Sequence, residues 1–564
     1  MLKKAFLHFF QNNFPTFVLI FLGTVCWAIT MVKSGLMYSF GLGFWGANGH
    51  DGIWHIAIAE ALSRGSFEMP GFAGSAIQNY HLGFGILLAL AHRLTDIPIP
   101  VWYFQIFPII FSILIGILTY KFVLDWRGSK AEANWSLFFV YFGSSFGFVV
   151  TYLRSREITG DSMFWAQQAL STLINPPFAL SLIFILSGLI FLQRYLRTHS
   201  TLYFLLAAIF FGLLIQIKAY AGVLVLLGLG AATLWQLITK KKVSLFKITL
   251  LSGLISVLVS LPFLKESAGI FTFQPFWFLE TMMTYSDRLN WEKFYSAMTN
   301  YRAGKIWGKA ILAYGAAFVI FIIGNLGSRI IGLFSLVKIK LAEIEVLIFT
   351  ILFFAVAIPT FFVQKGTPWN SIQFFYYFIF FFSIFAGISA AKMRKVLAIF
   401  LILFSIIGVW SSLRHYWPST SPAKLSPGEV EALKFLAGEP PGVVLTYPFD
   451  RDQSNAAAAA GIAPRPLYLY ESTAYVSAYG KHPVFLEDEV NLDITGYPWK
   501  DRKASILSFY NSLDISSDYT FLRANNITYV YWLRFQHARV GDTELGLTKI
   551  FENKDVWIFK LKEK

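Results

Sequence analysis

The stretch Gly49-His50-Asp51-Gly52-Ile53-Trp54-His55 follows the first apolar run of the chain and sets an acid and two histidines within six residues. The loop that carries it ends in Asn79-Tyr80-His81, just before the next apolar run. Three of the nine histidines therefore fall between 50 and 81, in a chain that is otherwise mostly hydrophobic.

The flanks of this loop decide the class. The 564 residues are 56% hydrophobic and 14% charged, with a mean hydropathy of +0.57; a soluble chain carries about 25% charge. Apolar runs close to the ~20 residues that span a bilayer recur at 14–32, 81–97, 101–124, 132–153, 177–193, 201–217, 219–238, 245–263, 309–328, 344–363, 371–391 and 395–413. The chain reads as a polytopic α-helical membrane protein. Lys3 and Lys4 before the first run resemble a signal sequence. The run is long and no small-x-small cleavage site precedes Lys33, so a retained first helix with a cytoplasmic N-terminus is expected.

The net charge of +15 and pI of about 9.5 come from Lys and Arg in short connections between spans, where the positive-inside rule places them. Membrane lipids and lipid-linked phosphates are the expected partners, with no nucleic acid. Arg194/Arg197, Lys240–Lys242 with Lys247, Lys338/Lys340 and Lys392/Arg394/Lys395 mark the cytoplasmic side. The loops 33–80, 154–176, 264–308 and 364–370 and the C-terminal segment then share the extracytoplasmic face, at the cell (plasma) membrane. An inside N-terminus and an outside C-terminal domain need an odd number of crossings. The run 81–97, which holds His92, Arg93 and Asp96, is the weakest. The expectation is about 11–13 spans.

The chain divides into a membrane domain over 1–413, a linker over 414–427 marked by Pro418, Pro422 and Pro427, and a soluble α/β domain over 428–564. In the last, Gly428–Leu436 has helical spacing and 443–447, 484–486 and 527–532 read as strands. Tyr519–Asn525 reads as a helix, the alanines 456–460 as filler, and 547–551 with 556–561 as a hairpin. The single cysteine, Cys26, excludes an intrachain disulfide.

Asp51 leads the candidate site. On a helix over 50–64 it shares a face with His55 at i, i+4, with Ile53, Ile56, Ala57 and Ala61 resting on lipid or other helices. It suits a general base or a cation ligand, and equally a helix cap. His50, His55 and His81 suit substrate contacts, and Asp51, His55 and His81 together suit a metal such as Mg or Mn; interfacial hydrogen bonding is the plainer role. Lys218, between two apolar runs, needs a partner such as a phosphate, unless it snorkels. Gln364, Lys365, Trp369, Gln373 and Tyr376 gather a cation, amides and rings that suit phosphate and sugar, or an aromatic belt. Asp161 is a second carboxylate, in a loop that reads otherwise as a solvated connection. Tyr285, Arg288, Trp291 and Tyr295 of the 264–308 loop are placed to cover a site.

This order resembles the GT-C superfamily of membrane glycosyltransferases, including protein O-mannosyltransferases and aminoarabinose transferases. The resemblance rests on one span, an outer loop with His50-Asp51-Gly52, a return at Tyr80-His81-Leu82, many spans, a second large outer loop and an outer C-terminal domain. It implies sugar transfer from a polyprenyl-phosphate donor to a lipid, glycan or protein hydroxyl on the extracytoplasmic face, with inversion. It implies the base role for Asp51 alone. Gly52 departs from the Asp-Glu pair of the mannosyltransferases, which leaves the acceptor and metal open. A transporter or flippase of lipid-linked saccharides predicts polar residues through the membrane depth or inverted repeats, and neither is evident. A non-catalytic assembly protein is the third reading.

Overall fold

The structure, a computed structural model, describes residues 2–241, 243–265, 271–337, 339–512, 514–536 and 545–562, with side chains from residue 13 onward. The side chains of Lys3 and Lys4, the residues Lys242 and Lys338, and part of the 264–308 loop lie outside the described residues.

Each of the twelve apolar runs is helical. This is the expected outcome in lipid, where backbone polar groups must be satisfied within the segment. Among the described residues, eight helices are long and apolar enough to cross a membrane. They are Ile99–Arg127, Pro176–Thr198, Ala219–Lys240, Ser244–Phe263, Trp307–Leu336, Glu343–Phe361, Pro368–Ala390 and Lys395–Tyr416. Lys130–Phe142 and Gly147–Ser155 make a ninth if their 44° bend lies within one span. The bend falls at Gly143-Ser144-Ser145, the kind of small-residue break that kinks helices. The remaining runs are shorter: Asn13–Ala28 (the described part of Leu2–Ala28), Gly83–Thr95 and Thr201–Ile217. Gly83–Thr95 has 13 residues, which rise about 20 Å against a ~30 Å hydrocarbon core. The protein is an integral membrane protein.

The chain forms two compact units that a linear cut at 413 does not describe. The first contains Met1–Thr30, Pro108–Pro262 and Ala268–Trp417. At its centre Pro368–Ala390 packs on Lys130–Phe142. Gly387 permits this: a Cβ there would stand 2.1 Å from the Ser136 amide nitrogen. The Ser136 hydroxyl donates to the Ile384 carbonyl at 3.0 Å. Small residues let helix backbones approach in this way within membranes. A strand pair, Phe271–Phe273 with Phe362–Gln364, lies in the same unit.

The second unit joins Met31–Phe107 and a few residues from Phe263 to Pro418–Lys564. Its first sheet runs Leu36–Tyr38, Gly41–Phe44, Ala423–Leu425, Arg465–Pro466 in spatial order. Leu42 pairs with Leu425 in antiparallel register. Gly41, at φ +114°, is required because a Cβ would meet the Leu425 carbonyl oxygen at 2.0 Å. The second sheet runs Val443–Leu445, Ile527–Leu533, Val556–Leu561, Leu547–Glu552. Its first pair is parallel and the others antiparallel.

The expected helix at 428–436, the two main strands and the terminal hairpin are present, and the alanine run is helical within Arg451–Ala459. Residues 484–486 do not form a full strand: Val484 makes only an isolated bridge to Val444. The reason is competition. The Phe485 carbonyl accepts from Arg502 Nη1 at 2.7 Å, and the same guanidinium reaches the Ala73 carbonyl at 2.7 Å. Arg502 also stacks 3.5 Å over the Phe72 ring. Helices Tyr475–Gly480, Glu489–Thr495 and Trp499–Asn511 are additions that the sequence reading did not contain.

Candidate active site

In the second unit, His50 is the residue that opens the helix Asp51–Ser63, and its side chain makes no capping bond. Asp51 sits in the first turn, where the helix dipole favours a carboxylate. The helix is enclosed by protein rather than resting on lipid: residues 52–54 and 56–62 are buried. Asp51 stands out at 61% side-chain exposure. Its Oδ1 lies 3.0 Å from His50 Nδ1. Burial opposes the charged imidazole, but the Asp51 and Asp488 carboxylates outweigh it and raise the His50 pKa above its ordinary value. Gly52 is next to the Tyr103 ring, which a Cβ would crowd at 3.3 Å.

His55, which shares its helix with Asp51, turns to an aromatic cluster instead. Its Nδ1 is 3.3 Å from the Tyr80 hydroxyl. Its ring lies 5.6 Å from Phe84 and 6.2 Å from Tyr103. His81 stacks on Tyr80 at 4.6 Å. Among the described residues no three His, Cys, Asp or Glu side chains converge to hold a metal ion.

Sequence reasoning missed two acids in this unit. Glu487 and Asp488 are buried. Burial pushes Glu487 up to about 8, although the Val476 and Ser477 amides donate to its carboxylate at 2.8 and 3.0 Å. Burial, and then the nearby Asp51 charge, push Asp488 up to about 7, against the opposing pull of Asn491 and His50.

In the first unit, Lys218 is the extended residue between the helices Leu214–Ile217 and Ala219–Lys240. It is buried, so it does not snorkel. Its Nζ donates to Asn175 Oδ1 at 3.4 Å and lies 5.3 Å from the Tyr220 ring centre. Asn175 Nδ2 donates to Gln373 Oε1 at 3.2 Å, and Gln373 Nε2 to Asn370 Oδ1 at 3.3 Å. The Tyr220 hydroxyl donates to Gln364 Oε1 at 2.8 Å. Lys218, Gln364 and Gln373 are thus gathered with Asn175, Tyr220 and Asn370, which the sequence reading did not single out for this site. Lys365 and Trp369 are exposed nearby in the chain. Tyr376 packs edge-on against Phe178 at 5.6 Å.

Asp161 is not a solvated loop carboxylate. It is buried and accepts from the hydroxyls of Ser412 and Tyr416; burial raises its pKa. Its loop also carries Trp165, with the Arg288 guanidinium 4.4 Å above the ring. Arg329, unremarked in the sequence, is fully buried. It donates to Ser383 Oγ at 2.9 Å, Gln168 Oε1 at 2.8 Å and the Gly143 carbonyl at 2.6 Å.

No family model matches the sequence, and no curated protein is similar to it by sequence. Solved structures are similar in fold. One is the Archaeoglobus fulgidus oligosaccharyltransferase tethered with an acceptor peptide: 10% identity over 93% of this chain and 70% of that one, TM-score 0.48. The oligosaccharyltransferase AglB of the same organism, in complex with an inhibitory peptide and a dolichol-phosphate, matches at 10% identity, 93% and 69% coverage and TM-score 0.48. The arabinofuranosyltransferase AftD from Mycobacteria matches at 13% identity over 98% of this chain and 40% of that one, with TM-score 0.52. The last likeness extends over nearly the whole of this chain and shows a shared fold.

Proposed function

We propose that the chain is a glycosyltransferase that moves a sugar from a polyprenyl-phosphate donor to an acceptor hydroxyl, on the extracytoplasmic face and with inversion. The observation that carries this reading is Asp51: an accessible carboxylate, bonded to His50, on a helix buried almost everywhere else. The fold supports the enzyme class.

In this reading the Asp51 carboxylate accepts the proton of the acceptor hydroxyl. The freed oxygen attacks the anomeric carbon as the bond from that carbon to the phosphate oxygen breaks. The electron pair leaves with the lipid phosphate. Protonated His50 keeps Asp51 ionised for the next cycle. In the first unit, Lys218, held by Asn175, and Lys365 are cations of the kind that stabilise phosphate charge. Gln364 and Gln373 orient the donor, and Trp369 and Tyr376 offer ring faces to sugar or lipid.

The test is release of lipid phosphate from a panel of polyprenyl-phosphate sugars by purified protein. Release by the parent and its loss in folded Asp51→Asn protein supports the reading. Movement of lipid-linked saccharide across liposomes, with no release, makes the protein a transporter instead.

A further inference from the structure

The second unit contains a small cleft, open to solvent, that the proposed mechanism leaves unused. Four tyrosines, Tyr447, Tyr468, Tyr470 and Tyr475, line it. Four acids line it too, and among the described residues of its wall there is no lysine or arginine. Two of the acids have cationic partners outside the wall: Glu471 with Arg451 at 3.5 Å, and Glu489 with Lys503 at 2.8 Å. The other two, Glu487 and Asp488, are held by neutral donors, the Val476 and Ser477 amides and the Asn491 backbone and side chain. Thr473 also lines the cleft, and it is only 6% exposed. Among the described residues its buried hydroxyl finds no hydrogen-bond partner. Such a group is costly unless a ligand satisfies it.

One wall of the cleft reaches His50, the hydrogen-bond partner of Asp51. The Tyr470 ring stacks on His50 at 6.1 Å, and Asp488 feels the charges of both His50 and Asp51.

We propose that this cleft binds the ammonium group of an amine-bearing acceptor, an amino sugar or an ethanolamine-type head group. Tyrosine faces surround the cation, Glu487 and Asp488 supply its counter-charge, and the Thr473 hydroxyl takes a hydrogen bond. A neutral polyol would leave two buried carboxylates without a cation. The cation lets both acids ionise, so binding releases protons at neutral pH. The charged groups that face them are Asp51 and His50, with Glu471 and Glu489 on the same wall and Arg451 and Lys503 outside it. The word acceptor rests on the glycosyltransferase reading; recognition of the amine rests on the cleft alone.

The full chain in detergent is titrated with glucosamine, glucose, ethanolamine and ethylene glycol by ligand-observed NMR, and proton uptake or release is followed by calorimetry in two buffers. Each amine is expected to bind about tenfold more tightly than its neutral counterpart, with proton release. Asp488→Asn is expected to remove the preference. Thr473→Val, which keeps the shape, is expected to weaken binding a few-fold without loss of fold. Stronger binding of glucosamine than ethanolamine assigns an amino sugar; equal binding assigns the amine of a head group. Glucose that binds as well as glucosamine, no binding at millimolar concentration, or displacement of the amine by magnesium would overturn the proposal. Amine binding by a parent protein that releases no lipid phosphate would leave this inference standing and remove the glycosyltransferase reading.

Discussion

His50 Nδ1 lies 3.0 Å from Asp51 Oδ1, on the one well-exposed residue of a helix otherwise enclosed by protein. The two carboxylates near His50 outweigh its burial and raise its pKa, which favours its charged form. Its charge favours the ionised form of Asp51. His50→Gln is expected to move the acid limb of the kcat/KM profile to higher pH and to lower the rate. An unchanged acid limb would separate His50 from the base.

The buried pair Glu487 and Asp488 makes stability pH-dependent. Folding raises their pKa values to about 8 and about 7, so the folded state binds more protons than the unfolded one across this range. Stability from this source is full below about pH 4 and is lost as pH rises toward 8. Thermal melts of the protein in detergent are expected to show a Tm that falls from pH 5 to pH 8. The slope is expected to flatten in Asp488→Asn, whatever that variant's absolute Tm.

Arg329 ties three segments of the first unit through Gly143, Gln168 and Ser383. Its removal orphans all three acceptors in a buried site. Arg329→Met is expected to cost about 3 kcal/mol or more, measured as a loss of Tm in detergent. Arg329→Lys is expected to rescue little, because one ammonium cannot reproduce a planar three-way fork.

Lys218 and Lys365 differ in setting, and their variants are expected to differ accordingly. Lys218 is buried and bonded to Asn175. Lys218→Met is expected to raise the donor KM about 10- to 100-fold, as for a lost charge-assisted hydrogen bond. Lys365 is exposed, and Lys365→Met is expected to change KM by less than about fivefold. Equal effects would place the donor phosphate elsewhere.

The twelve apolar runs were legible because a bilayer demands ~20 apolar residues in series, a signal written locally. The hairpin about Asn553-Lys554 was legible for the same reason. The union of Met31–Phe107 with Pro418–Lys564 was not. It depends on strands of two to four residues such as Gly41–Phe44 and Ala423–Leu425, too short to show a period and far apart in the chain. Asp51 was legible as chemistry, and Lys218, Gln364 and Gln373 as neighbours. Burial reversed other readings. Asp161 looked like a solvated loop acid, and Glu487, Asp488 and Arg329 drew no reading, because their burial is set by distant segments. His55 kept the helical spacing from Asp51 that the sequence implied, yet it bonds to Tyr80, because Tyr80, Phe84 and Tyr103 come together only in three dimensions.

The central claim is that Asp51 is the base of a sugar transfer from a lipid phosphate. The direct measurement is lipid-phosphate release from a panel of polyprenyl-phosphate sugars, by the parent and by Asp51→Asn, with and without EDTA. The account predicts release by the parent and a fall of about 10²- to 10⁴-fold in Asp51→Asn with its melting transition intact, and the EDTA arm decides whether a metal takes part. Full activity in folded Asp51→Asn, or no release by the parent from any donor, would contradict it.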